Sequence, residues 1–320
     1  MFKDRETCRE AAKAIADAVG KDEEIEENKN RAGEEILTFT GHENAYFFSG
    51  CGSAIYASLY GAKTLFLPDQ GVWKGVLKIA ELLNITAIEI PTTLGLISIE
   101  DAESILRIKK SENSAFFLSS FAGYIAEQDI KAISEICRKE NVVLIEDASG
   151  AIGDQTLANG KYSDIIVCST GAPKIINLYS GGFLSTSNSE IKKSAEAFEK
   201  IFKIYPFLYP GITEELKHAK KRVEKLVEYS SILKKNIENA VFKDKRGVCV
   251  GLLLDNAKEF AKKAAEQNLK TEKNKTLLTL CPRYDRFLNK GAVIELKKLD
   301  VLELSQKDIN KIISIVNSCI

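Results

Sequence analysis

At 320 residues the chain can bury a large core and exceeds the usual span of one domain, so a large domain with a smaller companion is expected. Hydrophobic residues make up 45% and charged residues 28%, the balance of a soluble globular protein. The 45 basic and 45 acidic residues cancel, which removes the electrostatic reason to expect nucleic acid or a membrane surface as partner.

In chain order, residues 1 to about 30 read as a charged amphipathic helix, with Ala11, Ala12, Ile15, Ala16 and Val19 at helical spacing and the acidic run KDEEIEEN as its solvated end. From residue 46 the texture changes. AYFFSGCGSAIYASLYGAK reads as strand, glycine turn and helix, KTLFLPDQ as a strand, VWKGVLKIAELLN as a helix and TAIEIP as a strand. SIEDAESILRIKK opens on a serine cap and runs as a helix. SAFFLSS, VVLIEDAS, DIIVCST and GGFLSTS read as further strands, with IKAISEICRKEN as a helix between the first two. Short continuous apolar runs separated by helices predict a mostly parallel sheet covered on both faces.

Beyond residue 187 the alternation stops. A helix is expected over 188–204, YPFLYPG punctuates the chain, and a long lysine-rich helix follows from about 212 to 240. The tail reads strand, helix, strand, strand, helix. The expected organisation is an N-terminal helical arm over 1–40, a large α/β domain over 41–204 and a smaller α+β domain over 205–320. Seven scattered cysteines, no CxxC and a charged start point to reduced thiols in a cytoplasmic protein. No apolar run reaches the roughly 18 residues that cross a bilayer. With only His42 and His218 and no helpful cysteine spacing, no metal site is expected.

SGCGSAI at 49–55 follows a strand and opens a helix, so it offers free N–H groups and the positive end of a helix dipole to an anion. A dinucleotide fold would want GxGxxG; Gly50 and Gly52 fit, but Ile55 stands at the third position, and Asp69 follows Pro68 near the ribose-binding spacing. A phosphate cup for a smaller cofactor is the competing reading. VVLIEDASGAIGD brings Asp147 to the end of a buried strand, and Lys174 follows the end of the next. A phosphate turn, a carboxylate and a single lysine at neighbouring strand ends suit pyridoxal 5'-phosphate (PLP). The lysine amine makes the Schiff base and the carboxylate keeps the ring nitrogen protonated. A nicotinamide dehydrogenase leaves Lys174 unexplained.

These residues resemble the fold-type I PLP enzymes, and among them the DegT/DnrJ/EryC1/StrS aminotransferase group, over roughly residues 45 to 190. That group's G-T-A-A-L turn is matched by Gly52-Ser53-Ala54-Ile55, and its E-D-A-A-Q strand end by Glu146-Asp147-Ala148-Ser149-Gly150. Its S-F-x-x-x-K segment is matched by Ser169 to Lys174, with Gly181-Gly182 following, and Gly123 echoes a lone glycine after its fourth strand. The resemblance implies a three-layer α/β/α, mostly parallel sheet with a smaller C-terminal α+β domain. It implies Lys174 as Schiff-base lysine and proton shuttle and Asp147 as partner of the ring nitrogen. Gly52, Ser53 and Ala54 would hold the phosphate, with Ser169 adding a hydroxyl; Ser149 is assigned to the cofactor with them. Trp73 would stack on the ring, plain packing being its competing role. A homodimer is implied, with the segment Asn177 to Gly182 reaching across.

The likeness fails in places. Gly150 stands where the group has glutamine, and Glu295 falls near the position of a carboxylate-binding arginine; Arg283 and Arg286 lie close by and could substitute, solvated loop residues being the favoured reading. Cys51 and Cys281 lack a nearby histidine and are read as structural rather than nucleophilic. Burial is expected to lower the Lys174 pKa. The reading is a PLP-dependent aminotransferase acting on a small amino donor and a keto acid or keto sugar. A PLP lyase or sulfur-transfer enzyme, or a non-catalytic protein of the same fold, are the alternatives.

Overall fold

The computed structural model describes residues 1–320 apart from the Asp285 side chain. Seven strands form the main sheet: β1 (Asn44–Phe48), β2 (Thr64–Pro68), β3 (Thr86–Ile90), β4 (Ser114–Ser119), β5 (Val143–Asp147), β6 (Ile165–Ser169) and β7 (Gly182–Thr186). Their spatial order is β1-β7-β6-β5-β4-β2-β3. β7 runs antiparallel to both neighbours and the remaining pairs are parallel. Consecutive residues feed opposite faces, as a pleated strand requires. Phe47, Phe116, Leu144 and Ile166 enter one buried cluster, while Phe48, Phe117, Ile145 and Val167 enter the other.

Each cluster is closed by helices. α1 (Arg9–Ala18), α2 (Ile25–Thr40), α5 (Ile99–Lys109), α6 (Ile130–Lys139) and α8 (Tyr209–Leu216) contribute to the first. α3 (Cys51–Leu59), α4 (Gly75–Leu82) and α7 (Ser189–Ile201) cover the second. The expected three-layer α/β/α architecture is therefore present. Ser98 caps α5 by accepting from the Asp101 N–H. Burying each large apolar side chain contributes about 1.5–3 kcal/mol, which is why near-continuous apolar strands tolerate only this two-sided cover.

The C-terminal part holds β8 (Val250–Leu253), β9 (Leu278–Cys281) and β10 (Gly291–Ile294) in the antiparallel order β8-β10-β9, beside α9 (Ala219–Asn236), α10 (Ala257–Glu266) and α11 (Gln306–Cys319). The extended N-terminus joins it, bridging Phe2 to Thr271 and Asp4 to Leu299. Among the described residues no helix is long and apolar enough to cross a membrane.

Three expectations about elements change. The N-terminal helix breaks after Ala18, because Gly20 takes a left-handed φ of 83°. The acidic run opens α2 instead of ending α1, which places Glu26 and Glu27 at the favourable end of its dipole. The long helix is two, α8 and α9, parted at Lys217–His218; α8 starts early because Pro210 is tolerated in a first turn. Two short hairpins, Thr92–Thr93 with Leu96–Ile97 and Phe121–Ala122 with Ala126–Glu127, occupy stretches read as links.

Candidate active site

The turn after β1 is shaped by a close backbone approach. A Cβ on Gly182 would lie 2.6 Å from the Cys51 nitrogen and 2.9 Å from the Cys168 carbonyl oxygen, so only glycine lets β7 pass under the start of α3. The Ser53 and Ala54 N–H groups donate back to the Gly50 carbonyl at 3.1 and 3.3 Å. That leaves the Cys51 and Gly52 N–H groups without an acceptor among the described residues, at the positive end of the α3 dipole.

β5 presents two acidic residues to opposite sides. Glu146 is fully buried and satisfied by the Ser120 and Ser163 hydroxyls at 2.7 and 2.6 Å and by the Ala158 N–H at 2.9 Å. Asp147 faces the cleft at the strand's end, its Oδ1 accepting from the Ser149 N–H at 3.0 Å. The Ser149 hydroxyl accepts from the Ser169 N–H at 2.8 Å, which ties the ends of β5 and β6 together. Ser169 Oγ accepts from the Gly171 N–H at 3.1 Å and starts the loop that carries Lys174.

Asp147, Ser149, Ser169, Lys174, Gly52 and Trp73 all line one cleft of about 480 Å³. Trp73 is half exposed, and its ring lies over Gly52, where an added Cβ would sit 3.3 Å from it. Ser53 and Ala54 are not brought to the cleft. They lie one step further into α3, where their N–H groups are already used and the Ala54 side chain is in the core. The segment expected to reach a second subunit is largely internal. Asn177 is fully buried, held by the Glu215 carboxylate, the Thr7 hydroxyl and the Arg5 carbonyl, and Leu178, Gly181 and Gly182 are buried too. Only Tyr179 and Ser180 reach the surface.

Lys174 donates to the hydroxyl of Tyr124, a residue the sequence reading passed over. Its signal was the neighbouring Gly123, with a φ of 53°. A Cβ there would lie 2.3 Å from the Arg286 carbonyl oxygen, so the hairpin tip is pressed against the loop before β10. Arg286 lines the cleft instead of standing in solvent, its guanidinium 4.5 Å from the Tyr124 ring centroid and its Nε 3.1 Å from Glu295. Glu295 is buried and also binds Lys297 at 2.6 Å. Where an arginine was expected, then, stands the carboxylate that holds one. Arg283 remains outside, stacked 4.8 Å over the Tyr284 ring.

The charges follow from these contacts. Burial pulls the Lys174 ammonium down, but the Tyr124 oxygen and the Asp147 carboxylate raise it by more, so it lies above the ordinary lysine value, opposite to expectation. Burial disfavours the Glu295 carboxylate, yet Lys297 and Arg286 hold it well below the usual range. Burial pushes the Cys51 thiol far up and the Cys281 thiol to about 12, which leaves neither as a ready thiolate.

Residues 82–203, which contain Asp147 and Lys174, match the model of the DegT/DnrJ/EryC1/StrS aminotransferase family. Residues 220–317 match the MJ1341 family C-terminal domain. Solved structures share this fold at low identity. Serine palmitoyltransferase from S. paucimobilis, with a bound PLP–myriocin aldimine, is 12% identical with a TM-score of 0.76, the match covering 97% of this chain and 83% of that one. Alanine–glyoxylate aminotransferase from Nostoc sp. is 12% identical with a TM-score of 0.76, covering 99% and 94%. Helicobacter pylori PseC, an aminotransferase involved in the biosynthesis of pseudoaminic acid, is 16% identical with a TM-score of 0.72, covering 100% and 98%. This likeness is one of fold: the seven-stranded sheet with a small C-terminal antiparallel sheet is that of the fold-type I PLP enzymes.

Proposed function

We propose that this chain is a PLP-dependent aminotransferase that moves an amino group from an amino acid to a keto acid or keto sugar. One observation carries the reading: Lys174, Asp147 and the free N–H groups of Cys51 and Gly52 open into a single cleft. PLP needs an amine, a carboxylate and an anion cradle, and these residues fit it. When bound, PLP supplies an aldehyde that condenses with amines and a ring that takes up electrons from a substrate carbanion.

The residues would act as follows. The α3 N-terminus holds the phosphate through the Cys51 and Gly52 N–H groups. Asp147, fixed by the Ser149 N–H, keeps a proton on the ring nitrogen. Lys174 would be the amine that takes the aldehyde, and its Nζ is placed to hold and move a proton in the cleft. The Tyr124 hydroxyl fixes where that amine sits. Trp73 covers the mouth and limits water, and the Arg286 guanidinium faces the substrate side with its Nε already held by Glu295. A homodimer and the division at 41–204 and 205–320 belong to this proposal.

Absorbance of the purified protein mixed with PLP tests it. A new visible band that borohydride fixes to the chain, that Lys174→Ala abolishes and that an amino donor bleaches is the expected result. A protein that gives no such band, or gives it unchanged in Lys174→Ala, overturns the reading.

A further inference from the structure

Away from the cleft, three side chains of metal-ligating type converge at the start of α1. Cys8 precedes that helix, Glu10 lies in its first turn, and His218 stands at the junction of α8 and α9. The Cys8 Sγ, a Glu10 carboxylate oxygen and a His218 ring nitrogen lie within 4.8 Å of one another. Cys8 and His218 occupy the N-cap positions of α1 and α9, yet neither side chain makes a cap hydrogen bond. Helix N-caps favour Ser, Thr, Asp or Asn, because their oxygens accept from the free N–H groups. Two caps are thus given to residues that turn toward each other. The contrast with His42 is direct. Its ring nitrogens are taken by Ser185 Oγ and the Ser163 carbonyl, both at 2.9 Å, whereas the His218 ring has no hydrogen bond among the described residues.

The backbone beneath the trio is rigid. The Cys8 N–H donates to Glu215 at 2.7 Å, and Glu215 is buried between Arg5 and Arg222. The Arg222 N–H in turn donates to the His218 carbonyl at 3.0 Å. One buried ion network therefore holds both ligand-bearing helix starts, as a preorganised site requires.

We propose that Cys8, Glu10 and His218 bind one divalent transition-metal ion of the zinc type, with water as the fourth ligand. A thiolate, an imidazole and a carboxylate form a ligand set for such ions, whereas calcium and magnesium take oxygen ligands. Metal–ligand bonds of about 2.0–2.3 Å separate tetrahedral ligands by about 3.3–3.6 Å, so small side-chain rotations close the trio. Binding makes a metal–sulfur bond and sends the thiol proton to solvent; nothing is oxidised or reduced. The ion ties the start of α1 to the α8–α9 junction. Glu215 also receives the Asn177 N–H at 3.0 Å, so the same network reaches the loop that carries Lys174.

The test titrates full-length protein, freed of metal by a chelator, with Co²⁺ and then Zn²⁺. One Co²⁺ per chain should bind with a thiolate charge-transfer band, and one equivalent of Zn²⁺ should displace it and raise the melting temperature. Cys8→Ser and His218→Ala should each remove the band. Each should also weaken Zn²⁺ binding by more than the roughly 10–100-fold cost of losing an outer-shell partner. Should either variant lose its circular dichroism, Glu10→Gln decides, since that residue is exposed and its loss weakens binding without threatening the fold. Absence of stoichiometric binding, or Zn²⁺ affinity unchanged in the folded variants, overturns the site.

Discussion

The Lys174 amine rests on the Tyr124 hydroxyl, a contact between loops 50 residues apart in the chain. The same aromatic ring has Lys297 at 4.4 Å, Arg286 at 4.5 Å and Lys174 at 4.9 Å from its centroid. Tyr124 is thus the residue through which the cleft's amine feels its neighbours. Tyr124→Phe keeps the ring and removes the oxygen. Burial pulls the amine down while Tyr124 and Asp147 raise it, so the variant should lower the Lys174 pKa. More uncharged amine is then present at neutral pH, and capture of PLP should move to lower pH. The rate of PLP loading followed across pH checks this; a profile that stays put or moves upward contradicts it.

Among the described residues Glu295 is the one carboxylate paired with both Arg286 and Lys297, and it is buried. Glu295→Gln leaves two cations unpaired and should destabilise the protein by about 3–5 kcal/mol, seen in urea denaturation at neutral pH. The sign in acid follows from the depressed carboxylate. Its contribution is fully present above the unfolded glutamate value of about 4.3 and drains away as pH falls toward the lower folded value. The gap between wild type and variant should therefore narrow in acid. A gap that is small at pH 7, or constant down to pH 3, speaks against this role.

Much of the large sheet was legible because its strands are apolar on both faces, and runs such as SAFFLSS or DIIVCST suit nothing else of that length. Asp147 and Lys174 stood out in the sequence because one ends such a run and the other lies in the short link after the next. The meeting of Tyr124 with Arg286 and Glu295 was not legible, since it depends on a hairpin at 121–127 packing against a loop near 286. Ser53 and Ala54 lie one step into the helix, away from the cleft that Gly52 lines. The helix uses the Ser53 and Ala54 N–H groups internally, a detail of the first turn that no side chain reveals. Cys8 and Glu10 are neighbours at one helix start, but His218 lies far along the chain, and only the packing of α1 against α8 brings it to them.

Gly182→Ala tests the backbone approach under the phosphate turn. The new Cβ would meet the Cys51 nitrogen at 2.6 Å and the Cys168 oxygen at 2.9 Å, both main-chain atoms that cannot swing aside. Overpacking of this kind costs about 1–3 kcal/mol. Relief requires the first turn of α3 to shift, which moves the Cys51 and Gly52 N–H groups. A lower melting temperature and weaker PLP binding should therefore appear together. A variant with wild-type values of both refutes the cradle.

Lys234 gives the last prediction. It is fully buried, its Nζ donating to the Ile125 carbonyl at 2.6 Å and the Lys245 carbonyl at 2.7 Å, with no ion pair among the described residues. Burial lowers its pKa to about 8, against a smaller upward pull from Cys249 and Asp244. The folded protein thus gives up this proton before the unfolded chain does. Between about pH 8 and the ordinary lysine value of about 10.4 the unfolded state binds more protons, so stability rises with pH over that window. Below it, keeping the ammonium charged in the core costs on the order of 3 kcal/mol. Lys234→Met removes the titration but strands two buried carbonyls, each worth about 1–3 kcal/mol. The two effects nearly offset at pH 7, and the carbonyls alone remain near pH 10. Urea midpoints measured from pH 7 to 10 should show wild type pulling ahead of the variant as pH rises; a difference that does not grow means the buried amine does not titrate there.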